Sequence, residues 1–166
     1  MLIGVGNRLS RDDGVGPVVA QALADTEWIA IDCGTSLENA TGIVSREHPD
    51  LLVIVDAAMM GKKPGAFFLL PIDATDQMLA STHGLPLPFV LGRIKSSAKR
   101  TVLIGIQPED VSLGEGLSAS VESSAKKLVA HLRQLTLEQI PRHESCDWCP
   151  DTGIDRGAQS QSIKES

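Results

Sequence analysis

The sequence predicts an α/β fold: a three-layer α/β/α sandwich around a twisted, mostly parallel sheet of about five strands, with one antiparallel or edge strand. Two observations carry this expectation. Leu51–Asp56 (LLVIVD) and Thr101–Ile106 are unbroken apolar runs rich in Val and Ile, the mark of central strands covered on both faces. Around them lie segments whose apolar residues recur at helical spacing, so strands and helices alternate along the chain, and no segment repeats at a fixed period.

Taken in order, Met1–Val5 reads as a first strand closed by Gly4 and Gly6, followed by the polar loop Asn7–Asp13. Gly14-Val15-Gly16-Pro17 opens a helix. Pro17 suits its first turn because the missing N–H would be unpaired there, and Val18, Val19, Ala22 and Leu23 supply the buried stripe. Trp28–Asp32 is a second short strand, ending in Asp32-Cys33-Gly34-Thr35. Ser36 is placed to cap a helix through about Glu47, with Leu37, Ala40, Ile43 and Val44 on one face. After the strand at 51–56, the turn cluster Gly61–Gly65 leaves no room for a helical crossover, so Ala66–Leu70 is expected to pair antiparallel or to sit at an edge.

Further on, Asp73–Leu79 gives a weak helical turn and Ser81-Thr82-His83-Gly84 a loop. Pro86 and Pro88 then start a helix whose buried face is Val90, Leu91 and Ile94. Beyond the strand at 101–106, the clearest helix carries Leu117, Val121, Ala125, Leu128, Val129, Leu132 and Leu135 at a period near 3.6. From Thr136 the pattern stops. The folded domain is therefore expected over 1–135, with 136–166 a polar, flexible tail.

A chain of 166 residues with 42% apolar content is close to the commonest size for one domain with its own core. Lys and Arg total 15 against 21 Asp and Glu, which argues against nucleic acid as the partner. No apolar run approaches the ~20 residues a membrane helix needs, and no charged segment with an apolar stretch behind it opens the chain. Three cysteines, an odd number, do not make a secreted disulfide framework. A cytoplasmic monomer without membrane insertion is the expectation.

In such a sheet the loops after the parallel strands share one rim, where ligands bind. Asp12 and Asp13 after the first strand, Asp32 after the second and Asp56 after the third can converge there, with His83 arriving from a later loop. Two carboxylates and one imidazole form an O, O, N set suited to a divalent ion such as nickel, zinc or iron(II), with positions left open. Each residue also has a plainer explanation: Asp13 as a helix-start carboxylate, Asp56 as a strand end, His83 as a loop histidine.

The ordered motifs Gly4-Val5-Gly6-Asn7 with Asp12-Asp13-Gly14-Val15-Gly16, Asp32-Cys33-Gly34-Thr35, Ile54-Val55-Asp56-Ala57, Thr82-His83-Gly84-Leu85-Pro86-Leu87 and Leu103-Ile104-Gly105-Ile106-Gln107-Pro108 together resemble the hydrogenase maturation endopeptidases, most closely the hydrogenase 3 type. The resemblance covers Met1 to about Leu135 and implies a phosphorylase/hydrolase-like peptidase domain. It implies an enzyme that removes a C-terminal extension from the precursor of a nickel–iron hydrogenase large subunit after nickel insertion. The family's nickel-contacting positions match Asp13, Asp56 and His83, which the resemblance makes both the metal ligands and the catalytic set. Asp12 and Asp32 are candidate assistants to the attacking water or to a ligand. Asp13 stands where some members carry Glu, and Cys33 replaces the first Gly of a DGG-like motif. Nickel is expected to arrive with the precursor, and other divalent ions to substitute for it in a crystal.

Other readings compete. A non-catalytic nickel chaperone or sensor would use the same three ligands. A cysteine protease would use Cys33 and His83. A dinucleotide site fails because Leu9 stands at the third glycine position of G-x-G-x-x-G and two aspartates follow. Finally, His143, Cys146 and Cys149 form H-x-x-C-x-x-C, a spacing that can reach one metal ion, against the plainer reading of incidental cysteines in a tail.

Overall fold

The computed structural model describes residues 1–71 and 87–143. Five strands, β1 (Leu2–Gly4), β2 (Ala30–Asp32), β3 (Leu51–Ala57), β4 (Phe67–Leu70) and β5 (Arg100–Ile106), form one sheet in the order β2-β1-β3-β5-β4. All neighbours are parallel except β4, which runs antiparallel to β5 along the edge. The irregular strand is thus both antiparallel and at an edge. Its partner is β5, which inserts between β3 and β4, so the two strands joined by the short turn do not pair.

Alternation along β3 divides the core. Val53, Val55 and Ala57 pack with α1 (Val15–Ala22) and α4 (Ala119–Gln134), through Val15, Val19, Val121, Leu128 and Leu132. Leu52 and Ile54 face the other layer, where α2 (Thr41–Glu47) and α3 (Leu87–Lys95) contribute Val44, Val90, Leu91 and Ile94. Burial on both faces explains why β3 and β5 read as continuous apolar runs.

Two expected elements are divided or shortened. The helix expected from Ser36 begins as a 3-10 turn over Leu37–Ala40 before α2, and the second strand is confined to Ala30–Asp32. The expected boundary at 135 is also moved. Residues 136–143 belong to the fold: Leu137 and Ile140 are buried, the Leu69 amide donates to the Pro141 carbonyl at 2.9 Å, and the His143 amide donates to the Leu69 carbonyl at 3.0 Å. The segment thereby covers the outer edge of β4, satisfying backbone groups that an edge strand would otherwise expose. Helical periodicity could not signal this, because the segment packs through two isolated apolar side chains. The expected helical turn at 73–79 and residues 144–166 lie outside the described residues.

Candidate active site

The strand order places the topological switch between β1 and β3: the chain leaves β1 toward β2 and returns to β3 on the other side. The crevice above such a point is where open α/β sheets bind ligands. Both flanking strands deliver a carboxylate there. Asp56 is the sixth residue of β3, 1% exposed, and alternation puts it on the α2/α3 face. Its in-register neighbour on β5 is Gly105, so that strand sets no side chain beside it on that face.

Asp13 reaches the rim through the loop after β1. The Val5 amide donates to the Val55 carbonyl, continuing the β1–β3 pairing, and the Gly6 amide then donates to the Gly34 carbonyl. At φ +139°, Gly6 turns where a Cβ would collide with the Asp13 carbonyl. The loop closes on a 3-10 turn over Arg11–Gly14, whose Asp13 Oδ2 accepts the Asn7 amide at 2.8 Å. Helix α1 then follows at unusually short range: a Cβ on Gly16 would overlap the Val5 and Val55 carbonyl oxygens. The glycines of the first motif therefore serve close helix–strand packing, which brings the Asp13 turn down onto β3.

The neighbouring aspartates do different work. Asp12 is fully buried, and its carboxylate accepts four hydrogen bonds, from the amides of Glu109 (2.8 Å), Asp110 (3.0 Å) and Ser118 (2.6 Å) and from the Ser118 hydroxyl (2.9 Å). Ser118 precedes α4, so the carboxylate also sits at the positive end of that helix, which makes its burial tolerable. Both oxygens of Asp12 are committed to holding the loop after β5. Asp32 lies at the surface, pairing with Arg8 at 3.1 Å and accepting the Gly34 amide at 3.0 Å. Arg8 also donates to Gln21 and to the Pro17 carbonyl, so this pair ties the first loop to β2 and α1.

Cys33 is buried on the Asp56 side, its sulfur 3.4 Å from the Gly4 carbonyl. Burial first, then the charges of Asp56 and Asp32, pushes its thiol from 9.0 up to about 12. A nucleophilic cysteine needs the opposite shift, so the cysteine-protease reading fails. His83 lies outside the described residues, as do Cys146 and Cys149; His143 stands at the β4 edge with its ring edge-on to Phe68. Among the described residues no three His, Cys, Asp or Glu side chains gather closely enough to hold a metal ion.

Sequence reasoning passed over Arg8, Ser118 and Gln107. Gln107 is buried at the end of β5, where its side-chain oxygen accepts the Met60 and Lys62 amides and fastens the loop after Asp56. The motif ending in Gln107-Pro108 carried that signal, but an amide's partners cannot be read from spacing.

A family profile described as hydrogenase maturation protease matches residues 18–135, a span that includes Asp56 and His83. The hydrogenase 3 maturation protease of Escherichia coli K12 is 29% identical over 136 residues, covering 80% of this chain and 87% of that protein. The hydrogenase 2 maturation protease of the same organism is 29% identical over 159 residues, covering 86% and 95%. Among solved structures, an endopeptidase HycI from Escherichia coli superposes with a TM-score of 0.78 at 27% identity, covering 86% of this chain and 95% of that one. A nickel–iron hydrogenase maturation protease from Thermococcus kodakarensis KOD1 gives 0.71 at 32% identity, covering 82% and 90%. The profile spans well over half of the chain, and the likenesses set aside the non-catalytic reading: the chain belongs to the hydrogenase maturation protease family and is an endopeptidase.

Proposed function

We propose that this endopeptidase removes a C-terminal extension from the precursor of a nickel–iron hydrogenase large subunit, and that nickel already held by the precursor is what it recognises. The observation that carries the reading is the delivery of two buried carboxylates, Asp13 and Asp56, to the switch point by the adjacent strands β1 and β3. Two carboxylates with one imidazole, His83, make a hard and weak donor set. Such a set cannot compete for free metal, but it can complete the coordination of an ion that the substrate already binds. Cleavage then follows metal insertion, because only loaded precursor is held at the crevice.

Within that arrangement, Asp13 and Asp56 anchor the substrate's nickel while the loops fastened by Asp12, Arg8 and Gln107 fix where the scissile segment lies. Peptide hydrolysis requires a water oxygen to attack the carbonyl carbon and its proton to reach the departing amine. A rim carboxylate is the group of this chain suited to carry that proton. No helix among the described residues is long and apolar enough to cross a membrane. The free, buried Cys33 thiol supports a reducing compartment, and we read the site of action as the cytoplasm.

Incubation of the purified protein with nickel-loaded and nickel-free precursor, followed by intact mass measurement, tests the reading. Only the loaded precursor should lose its C-terminal extension, and Asp56→Ala should abolish the loss while keeping a cooperative unfolding transition. Equal processing of nickel-free precursor, or full activity in Asp56→Ala, would end it.

A further inference from the structure

The two edges of the sheet are treated differently. Beyond β4, residues 141–143 bond to Leu69 and close the edge. Beyond β2 no described residue does so: β2 pairs with β1 alone and stands last in the strand order. Its bonds to β1 use the Ile29 carbonyl and the Cys33 amide, with Ala30, Ile31 and Asp32 in register with Leu2, Ile3 and Gly4. Backbone groups alternate in direction along a strand, so Ala30 and Asp32 turn both N–H and C=O away from β1. Neither makes a backbone bond on that side among the described residues, and Ala30 and Ile31 are half-buried and Asp32 exposed. Donor and acceptor groups therefore face outward at the spacing that another extended backbone matches.

An open edge invites a second copy as readily as a partner, and the charges decide between them. From Ala22 to Ala40 the chain carries Asp25, Glu27, Asp32 and Glu38 and no Lys or Arg. Arg8 pairs with Asp32, and the other three acids make no ion pair among the described residues. Of the cations on neighbouring helices, Arg133 donates to the Ala22 carbonyl and Arg46 pairs with Glu47. Two copies joined edge to edge would set the acids of β2 and its flanks against each other, and like charges across an interface are costly. A basic extended segment gains from the same charges. Contacts also lead from this edge to the candidate site. Asp32 Oδ2 accepts Arg8 Nε at 3.1 Å, and the Gly34 carbonyl accepts the Gly6 amide at 2.9 Å; Gly6 and Arg8 both belong to the loop that closes on the Asp13 turn.

We propose that the outer edge of β2 takes a basic, extended segment of the precursor as an added strand. This rests on the precursor reading above and adds how the polypeptide is held. An added strand stands three strand spacings from β3, roughly 14 Å, a gap that about four extended residues span. The segment at the edge is thus separate from the residues held at the Asp13–Asp56 rim. Main-chain pairing supplies affinity that does not depend on the metal, while the rim carboxylates choose the loaded state.

The experiment follows amide exchange of the isotope-labelled full chain by nuclear magnetic resonance, alone and with saturating purified nickel-free precursor. In the free protein the Ala30 and Asp32 amides should exchange faster than that of Ile31, which faces β1, and precursor should slow both about tenfold or more. Glu27→Lys/Glu38→Lys should bind nickel-free precursor about tenfold more weakly at low salt, by a factor that shrinks as salt is added. The same variant should raise KM for nickel-loaded precursor with kcat nearly unchanged. Glu138→Lys, on the 3-10 turn that follows α4, should match the wild type. Unchanged exchange at Ala30 and Asp32, unchanged affinity in the double variant, equal weakening by Glu138→Lys, or a wild-type dimer in which the same two amides are protected would overturn the edge site. Protection without cleavage of loaded precursor would keep the edge site and defeat the cleavage reading. Cleavage without protection would do the reverse.

Discussion

Asp12 and Asp13 are adjacent in sequence and opposite in task. The first is sealed inside the protein with both oxygens committed to the loop after β5, and the second closes the turn that presents a carboxylate to the rim. Removing the Asp12 carboxylate takes away the acceptor of three part-buried backbone amides and the Ser118 hydroxyl, and a hydrogen bond to a charged group contributes about 1.5–3 kcal/mol where it is shielded and less where water can replace it. Asp12→Ala should therefore lose roughly 3 kcal/mol or more of stability in urea titration, although the residue touches no substrate in the present reading. At Cys33 the expected outcome is resistance. In a Cys146→Ser/Cys149→Ser background, the native thiol should react with an aromatic disulfide at pH 8 far more slowly than the unfolded chain. The group is held protonated up to about 12, whereas the unfolded thiol ionises near 9.0. The unfolded state thus releases its proton first, so the Cys33 contribution to stability is intact below pH 9 and disappears as pH rises toward 12. Fast alkylation of the folded protein would contradict the buried placement. Sequence identified the aspartates that reach the rim because they follow strands, but the division of labour between Asp12 and Asp13 depends on partners about a hundred residues away, which no local pattern encodes.

At the scale of elements, the strands and helices were legible wherever periodicity or apolar continuity was strong. β3, β5 and α4 fall within two residues of their expected limits. β4 was legible by exclusion, since the turn cluster before it left no crossover. The segment after α4 was not, because Leu137 and Ile140 pack as single anchors without a period. Truncation measures what that segment contributes. A chain ending at Leu135 should be roughly 2–5 kcal/mol less stable than one ending at His143, the range for deleting well-packed apolar side chains. Thermal unfolding of the two truncations, monitored by circular dichroism, distinguishes them, and equal melting points would show that residues 136–143 contribute nothing.

For the molecule as a whole, composition and alternation were enough to place this chain among three-layer α/β/α proteins, but the strand order was hidden. Nothing near β4 states that β5 will come between it and β3. That order has a kinetic consequence. Both neighbours of β4, namely β5 on one side and residues 141–143 on the other, lie downstream of it in the chain. A nascent polypeptide that has exposed β1 to β4 can zip β2, β1 and β3 together, yet it must leave FFLL waiting as an unsatisfied apolar segment until later residues emerge. Ribosome-stalled chains ending near residue 130 of the emerged portion should accordingly show exchange protection in β1 and β3 and, on the outer side of β4, none at Leu69, whose amide pairs with Pro141. The outer stitch of β4 is made by residues 141–143, so synthesis of the sheet finishes only after every strand has been translated and the chain beyond α4 has followed.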